Sequence, residues 1–153
     1  MSVRQLVQKQ YQRLLDSGAT HEVAELPPEG WLRTARKSLG MSGAQLARRM
    51  GVTRARVAQA EASESEGGIT LKSMQATAEA MGCRFVYAVL PEGRVEDMIQ
   101  AQARKKATAL VNAASTHMAL ESQALPDDRI VQEIERLTHQ LARDMPADFW
   151  NDI

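Results

Sequence analysis

The chain is predicted to be mainly α-helical: a bundle of four short helices, preceded by one N-terminal helix and followed by a short β-strand and a C-terminal helical hairpin. Three observations predict this. Ala, Arg, Gln, Glu, Leu and Met recur through the 153 residues while only 4% are aromatic, and these types lose little side-chain freedom in a helix. Apolar residues repeat at steps of three and four along several stretches. Ser42, Thr53 and Thr70 each stand just before such a stretch, and Gly40, Gly51 and Gly82 just after one, which is start and stop chemistry for helices.

The elements follow in order. Val3 to Leu15 places Val3, Leu6, Val7, Tyr11, Leu14 and Leu15 at helical spacing, and Asp16-Ser17-Gly18 ends that helix. His21 to Gly30, with Pro27-Pro28 and Gly30, reads as a linker, so residues 1–30 form an N-terminal helix and linker. Residues 31–83 hold the four short helices: Trp31 to Leu39, Gly43 to Met50, Arg54 to Ala62 and Leu71 to Met81, with Ser63 to Gly68 as a polar loop. Cys83-Arg84-Phe85-Val86-Tyr87-Ala88-Val89-Leu90 then turns β-branched and aromatic, and Pro91 stops it; residues 84–91 are the predicted strand. A lone strand leaves donors and acceptors open. Phe85, Val86, Tyr87 and Val89 are therefore candidate pairing residues for the same strand of a second subunit, the alternative being a segment packed on its own domain. Residues 92–153 form the helical extension. Val95 to Leu120 puts Val95, Ile99, Ala103, Ala107, Leu110, Ala114 and Met118 on one face, and Asp128 to Asp144 carries a stripe of Ile130, Ile134, Leu137 and Leu141. The short connection predicts an antiparallel hairpin, and Phe149-Trp150 should dock either on it or on a partner.

Length allows one ordinary domain, or a small domain with helical extensions. The balance of 44% hydrophobic and 25% charged residues fits a globular protein. No run of 18 apolar residues is present, the N-terminus lacks the pattern of a secretory signal, and Cys83 is the one cysteine; a cytoplasmic location is expected. Net charge is zero, but it is unevenly distributed. Trp31 to Ala62 holds seven basic residues (Arg33, Arg36, Lys37, Arg48, Arg49, Arg54, Arg56) and one acid, Glu61, while Glu121 to Ile153 holds eight acids and three arginines. A basic segment offset by an acidic tail suits local phosphate binding, although charges of this kind also simply solvate helix surfaces.

The block from Arg36 to Glu61 carries the chemistry. Leu46, Ala47 and Met50 are core positions of its second helix, with Ala47 small because two helices cross there. Gly51 tolerates the positive φ of a tight turn, Val52 is expected to plug the angle between the helices, and Val57 and Ala60 anchor the third helix. Thr53, Arg54, Ala55, Arg56 and Gln59 are left facing outward. This is a helix-turn-helix, and the N-terminal part of its second helix enters the major groove of DNA. Arg pairs with guanine and Gln with adenine bidentately. Arg54 and Gln59 are thus candidates for base edges, with Ala55 against a thymine methyl. Arg56, Arg48 and Arg49 are candidates for phosphate, with Gln45 and Thr53 as supporting donors.

With Leu46-Ala47, Gly51-Val52-Thr53, Val57 and Glu61, residues 31–83 resemble the Xre family of phage-repressor-like helix-turn-helix domains. That resemblance implies a repressor-like bundle and a structural pair of Arg36 with Glu61. Gly43 departs from it, standing where many relatives carry a groove-facing glutamine. The wider chain resembles the mobile mystery protein A family, through Gly67-Gly68-Ile69-Thr70-Leu71-Lys72, Met81 to Val89 and His117-Met118-Ala119-Leu120-Glu121. Members are encoded beside a Fic-domain protein, so this resemblance implies an antitoxin-like partner, or a repressor of the operon. The Ser/Thr-x-x-x-Glu-Gly/Asn motif of small Fic antitoxins is absent; Glu66-Gly67 comes closest but has Ala62 four positions before it.

An enzyme is not expected. His21, His117 and His139 are isolated, no cysteine or carboxylate cluster has ligand spacing, no Gly-rich phosphate loop occurs, and neither metal nor cofactor is implied. Cys83 is read as a small buried hydrophobe. Two functions from different classes stand: a dimeric, autoregulatory repressor on a palindromic DNA operator, and an antitoxin that neutralises a Fic-domain toxin through its C-terminal helices.

Overall fold

The computed structural model describes residues 2–18, 25–123 and 125–152; of the predicted linker, residues 21–24, including His21, lie outside the described residues. Among the described residues there are seven helices: α1 (Val3–Gly18), α2 (Trp31–Ser38), α3 (Gly43–Met50), α4 (Arg54–Glu66), α5 (Leu71–Ala80), α6 (Val95–Leu120) and α7 (Asp127–Asp144). They divide into two units, one containing α2 to α5 and the other α1, α6 and α7. None is long and apolar enough to cross a membrane.

In the α2–α5 unit, local caps set the helix starts. Ser42 accepts from the Gln45 N–H (3.1 Å) while the Gln45 side chain accepts from the Ser42 N–H (2.8 Å), a reciprocal capping box. Thr53 caps α4 through the Arg56 N–H (3.2 Å) and Thr70 caps α5 through the Ser73 N–H (3.1 Å). Leu32, Leu46, Ala47, Val57, Met74 and Met81 form the core, with Met41, Met50, Ile69 and Phe85 packed on it. Helix α2 starts differently. Its N-cap is Gly30, which has no side chain to offer. The Glu64 carboxylate supplies the cap, accepting from the N–H groups of Trp31 (2.8 Å) and Leu32 (3.0 Å). Gly30 has φ of 81°, and a Cβ there would lie 2.6 Å from Glu64 Oε2, so the cap also requires glycine.

The same contact explains why α4 outlasts its predicted end at Ala62. Residues 63–66 are helix, not loop. Glu64 is held from α2, and Gly67 closes the helix in the left-handed region with φ of 77°.

Two further expectations are corrected. The predicted β-strand over 84–91 does not form: no strand occurs among the described residues, and residues 84–93 make no hydrogen bond there. A ladder needs a neighbouring strand, and the described residues of the single chain offer none. The rings of Phe85 and Tyr87 still stack, with centroids 5.5 Å apart, so residues two apart share a side as in extended backbone. Of the candidate pairing residues only Phe85 is half-buried, while Val86, Tyr87 and Val89 are exposed. Cys83 is exposed rather than buried, because it lies at the start of this uncovered segment.

In the other unit α6 and α7 pack as the predicted hairpin around Ile99, Ala103 and Phe149, with Val95, Leu141, Ala142 and Met145 against them. Phe149 is 1% exposed and meets Trp150 edge-on. The turn that carries Phe149 is tied down by polar bonds. Gln102 donates to the Phe149 carbonyl (2.8 Å), and Lys106 donates to the Asp148 carbonyl and pairs with its carboxylate (3.2 Å). The buried stripe of α6 runs through Ile99, Ala103, Lys106, Ala107 and Val111. Leu110 and Ala114, expected on that face, are exposed: at 3.6 residues per turn the contact line with α7 shifts by one residue. Arg94, the N-cap of α6, offers no side-chain bond; Asp16 of α1 accepts from the Val95 N–H (3.1 Å) instead.

Candidate nucleic-acid interface

The candidate interface is built on the turn between α3 and α4. Leu46, Ala47 and Val57 are buried and fix the two helices against each other. Gly51 ends α3 with φ of 69° and ψ of 32°, a left-handed conformation that costs other residues about 1–2 kcal/mol. The Val52 N–H closes the turn on the Ala47 carbonyl (2.9 Å). Val52 itself does not plug the helix angle as expected: it is 36% exposed. Met50, at the end of α3, packs on the core.

Beneath the turn lies an ion-pair cluster. Glu61 is 3% exposed. Arg36 reaches it with Nε at 2.6 Å and Nη2 at 3.2 Å, and Arg33 adds a third bond at 3.1 Å. Arg36 also donates Nη1 to the Met41 carbonyl (2.9 Å), securing the connection between α2 and α3. Burial pushes the Glu61 carboxyl up, but the hydrogen bonds and charges of Arg36 and Arg33 together outweigh it and hold the carboxyl below its ordinary range. The hydrogen bond to Glu61 raises Arg36 further above its ordinary value. The arrangement is structural: it locks α2 onto α4.

These contacts sort the seven basic residues. Arg33 and Arg36 are bound to Glu61, Lys37 is paired with Glu29 (2.9 Å), and Arg49 donates to the Ala80 carbonyl at the end of α5 (2.6 Å). Arg48, Arg54 and Arg56 are exposed, and no acid pairs with them among the described residues. The side chain of Arg49 is thus partly committed to holding α5, which lessens its availability as a phosphate ligand.

The other candidate residues lie about the start of α4. Thr53, Arg54, Ala55, Arg56 and Gln59 are all exposed. The Gln59 amide has no partner among the described residues. Thr53 and Gln45 each have one oxygen engaged in capping, leaving the Thr53 O–H and the Gln45 amide N–H groups free to donate. The Arg54 stem lies beside Gly43, where a Cβ would meet its Cγ at 3.9 Å. Glycine at position 43 therefore leaves the Arg54 side chain unflanked on that side. Arg33 and Glu64 were not singled out by sequence reasoning. Both act at long sequence separation, and a single sequence offers no signal for such pairing beyond the surplus of arginines facing one acid.

Residues 32–87 match a family model described as Helix-turn-helix. The matched segment takes in α2 to α5 and is similar to helix-turn-helix domains of the Xre-like type. No curated protein and no solved structure is significantly similar to the chain.

Proposed function

We propose that this chain is a sequence-specific transcriptional repressor that binds a palindromic operator as a dimer and regulates its own expression. One observation carries the reading: the start of α4 presents Arg54, Arg56 and Gln59 without side-chain partners among the described residues, whereas Arg33, Arg36, Lys37 and Arg49 are engaged within the fold. The cations left unpaired are those that a helix in the major groove needs. Arg54 and Gln59 read base edges, Ala55 contacts a thymine methyl, and Arg48 and Arg56 hold phosphates. A dimer sets two such helices about 34 Å apart, one turn of DNA, or a multiple of it. The open backbone of residues 84–93 supports a two-fold partner, since antiparallel pairing with its own copy satisfies it. No catalytic role is assigned.

The alternative, an antitoxin that neutralises a Fic-domain toxin through α6 and α7, has less support. Ile99, Ala103, Leu141 and Phe149 are consumed in the hairpin's own core.

Anisotropy titrations on DNA upstream of the chain's own coding sequence, with random DNA as control and at two salt concentrations, test the proposal. Arg54→Ala should cost roughly 1–3 kcal/mol on the operator and relax base choice. Arg48→Ala should weaken all sequences alike and reduce the salt slope by about one. Equal losses on operator and random DNA for Arg54→Ala would remove its assigned role. Absence of any operator preference in the unaltered chain would overturn the repressor reading.

A further inference from the structure

Helix α1 is amphipathic, and its polar side faces its own unit. Gln5, Gln8, Gln12 and Asp16 are half-buried, as is the terminal Gly18, and these four polar residues, at steps of three and four, share one stripe. Three bonds hold that stripe in place: Gln5 Nε2 to the Arg143 carbonyl (3.3 Å), Gln8 Nε2 to Met145 Sδ (3.0 Å), and Asp16 Oδ1 from the Val95 N–H (3.1 Å). The opposite stripe is apolar. Val3, Val7, Tyr11 and Leu14 run along it with Leu6 and Leu15 on its flanks, and their exposures range from 37% to 79%. No residue of α1 is buried. A helix that docks on its body by the hydrophobic effect has the reverse orientation.

We infer that this outward stripe is a dimer interface, α1 of one copy packing antiparallel on α1 of a second. The inference rests on the dimeric reading above and names a surface that makes the dimer. Three features select a second copy. The six apolar side chains of α1 leave on the order of 600 Å² open per copy, and Val89 and Leu90 of the same unit add on the order of 200 Å²; two copies together reach about 1,600 Å², the size of a standard specific interface. The patch continues into the open segment that a two-fold partner would pair, because Leu90 Cδ2 lies 3.4 Å from the Cβ position of Gly18 at the end of α1. The helix dipoles fit the antiparallel sense, since they oppose there and the positive end of each helix lies beside the negative end of the other. A parallel pair would instead bring Arg4 against Arg4.

Sedimentation velocity on the full chain at micromolar concentration, with circular dichroism as the control for folding, tests this. The unaltered chain should sediment as a dimer. The V7D/L14D double variant should raise the dissociation constant at least 100-fold and sediment as a monomer, while Gln12→Ala, on the inward stripe, should leave the dimer intact. An unaltered dimer in V7D/L14D would overturn the α1 interface and leave a dimer held by residues 84–91. A monomeric unaltered chain would overturn both readings. If V7D/L14D loses helix content, cross-linking in a C83S background decides. Tyr11→Cys should be captured as a dimer by a short bismaleimide and Gln12→Cys should not; equal capture at the two positions would overturn the interface.

Discussion

Arg36→Ala removes the principal partner of Glu61, a carboxylate that is 3% exposed. Breaking a buried pair by deleting one member costs about 3–5 kcal/mol, because the remaining charge stays out of water. Arg33 still reaches Glu61, but its side chain is 41% exposed and so compensates in part. The bond from Arg36 to the Met41 carbonyl is lost as well, worth about 1 kcal/mol. The net loss is set at roughly 3 kcal/mol, which lowers the melting temperature of a small domain by about 12–24 °C. Urea unfolding of the full chain checks this, followed by Trp31 fluorescence in a W150F background so that the signal comes from the α2–α5 unit. A loss under about 0.5 kcal/mol, the value of a surface pair, would refute the reasoning. Acid provides a second arm. The folded-state pKa of Glu61 lies below its unfolded value, so its contribution is present above about pH 4.3 and is lost as pH falls through the folded value. The gap between the unaltered chain and Arg36→Ala should therefore close in that acidic window, because a protonated Glu61 no longer needs the cation.

Other expectations follow from the same contacts. Glu64→Ala should destabilise the α2–α5 unit by about 1–2 kcal/mol through loss of the α2 cap. Gly30→Ala should cost at least as much by urea titration, and a smaller penalty in the Glu64→Ala background would verify that the Glu64 carboxylate is what the new Cβ strikes. Lys106→Met should fall within about 1 kcal/mol of the unaltered chain, whereas Asp148→Ala should cost more because it leaves a buried cation without its carboxylate; Trp150 fluorescence during unfolding compares them, and the reverse order would contradict the account. Phe149→Ala should cost about 3–5 kcal/mol in the same assay, and a loss below about 1 kcal/mol would mean that the C-terminal turn is not part of the core.

The elements that could be read from sequence are those whose signals are local. Ser42, Thr53 and Thr70 each bond an N–H three residues on, and Gly51 sits at the residue that turns, so the bounds of α3 and the starts of α4 and α5 are written within a few positions. The helix-turn-helix was read from the spacing of Leu46, Ala47, Met50, Val57 and Ala60 about the Gly51-Val52 turn, of which Leu46, Ala47 and Val57 are buried. The hairpin of α6 and α7 was legible from its two stripes, though not the one-residue shift that buries Val111 in place of Leu110.

What tertiary structure decided lies at long range. The caps of α2 and α6 come from Glu64 and Asp16, separated from the N–H groups they serve by 33 or 32 residues and by 79; no local pattern announces them, because each carboxylate lies mid-helix or at a helix end like any surface acid. Which arginines remain open was likewise a matter of folding, since the bonds to Glu61 and Ala80 engage three of the six arginines between Trp31 and Ala62 and leave Arg48, Arg54 and Arg56 without an acid among the described residues. The amphipathic pattern of α1 and the β-branched run of residues 84–91 were plain in the sequence, yet periodicity states only that a face is apolar. Whether such a face or edge is covered depends on the surfaces that the rest of the chain brings to it, and a single copy leaves both open.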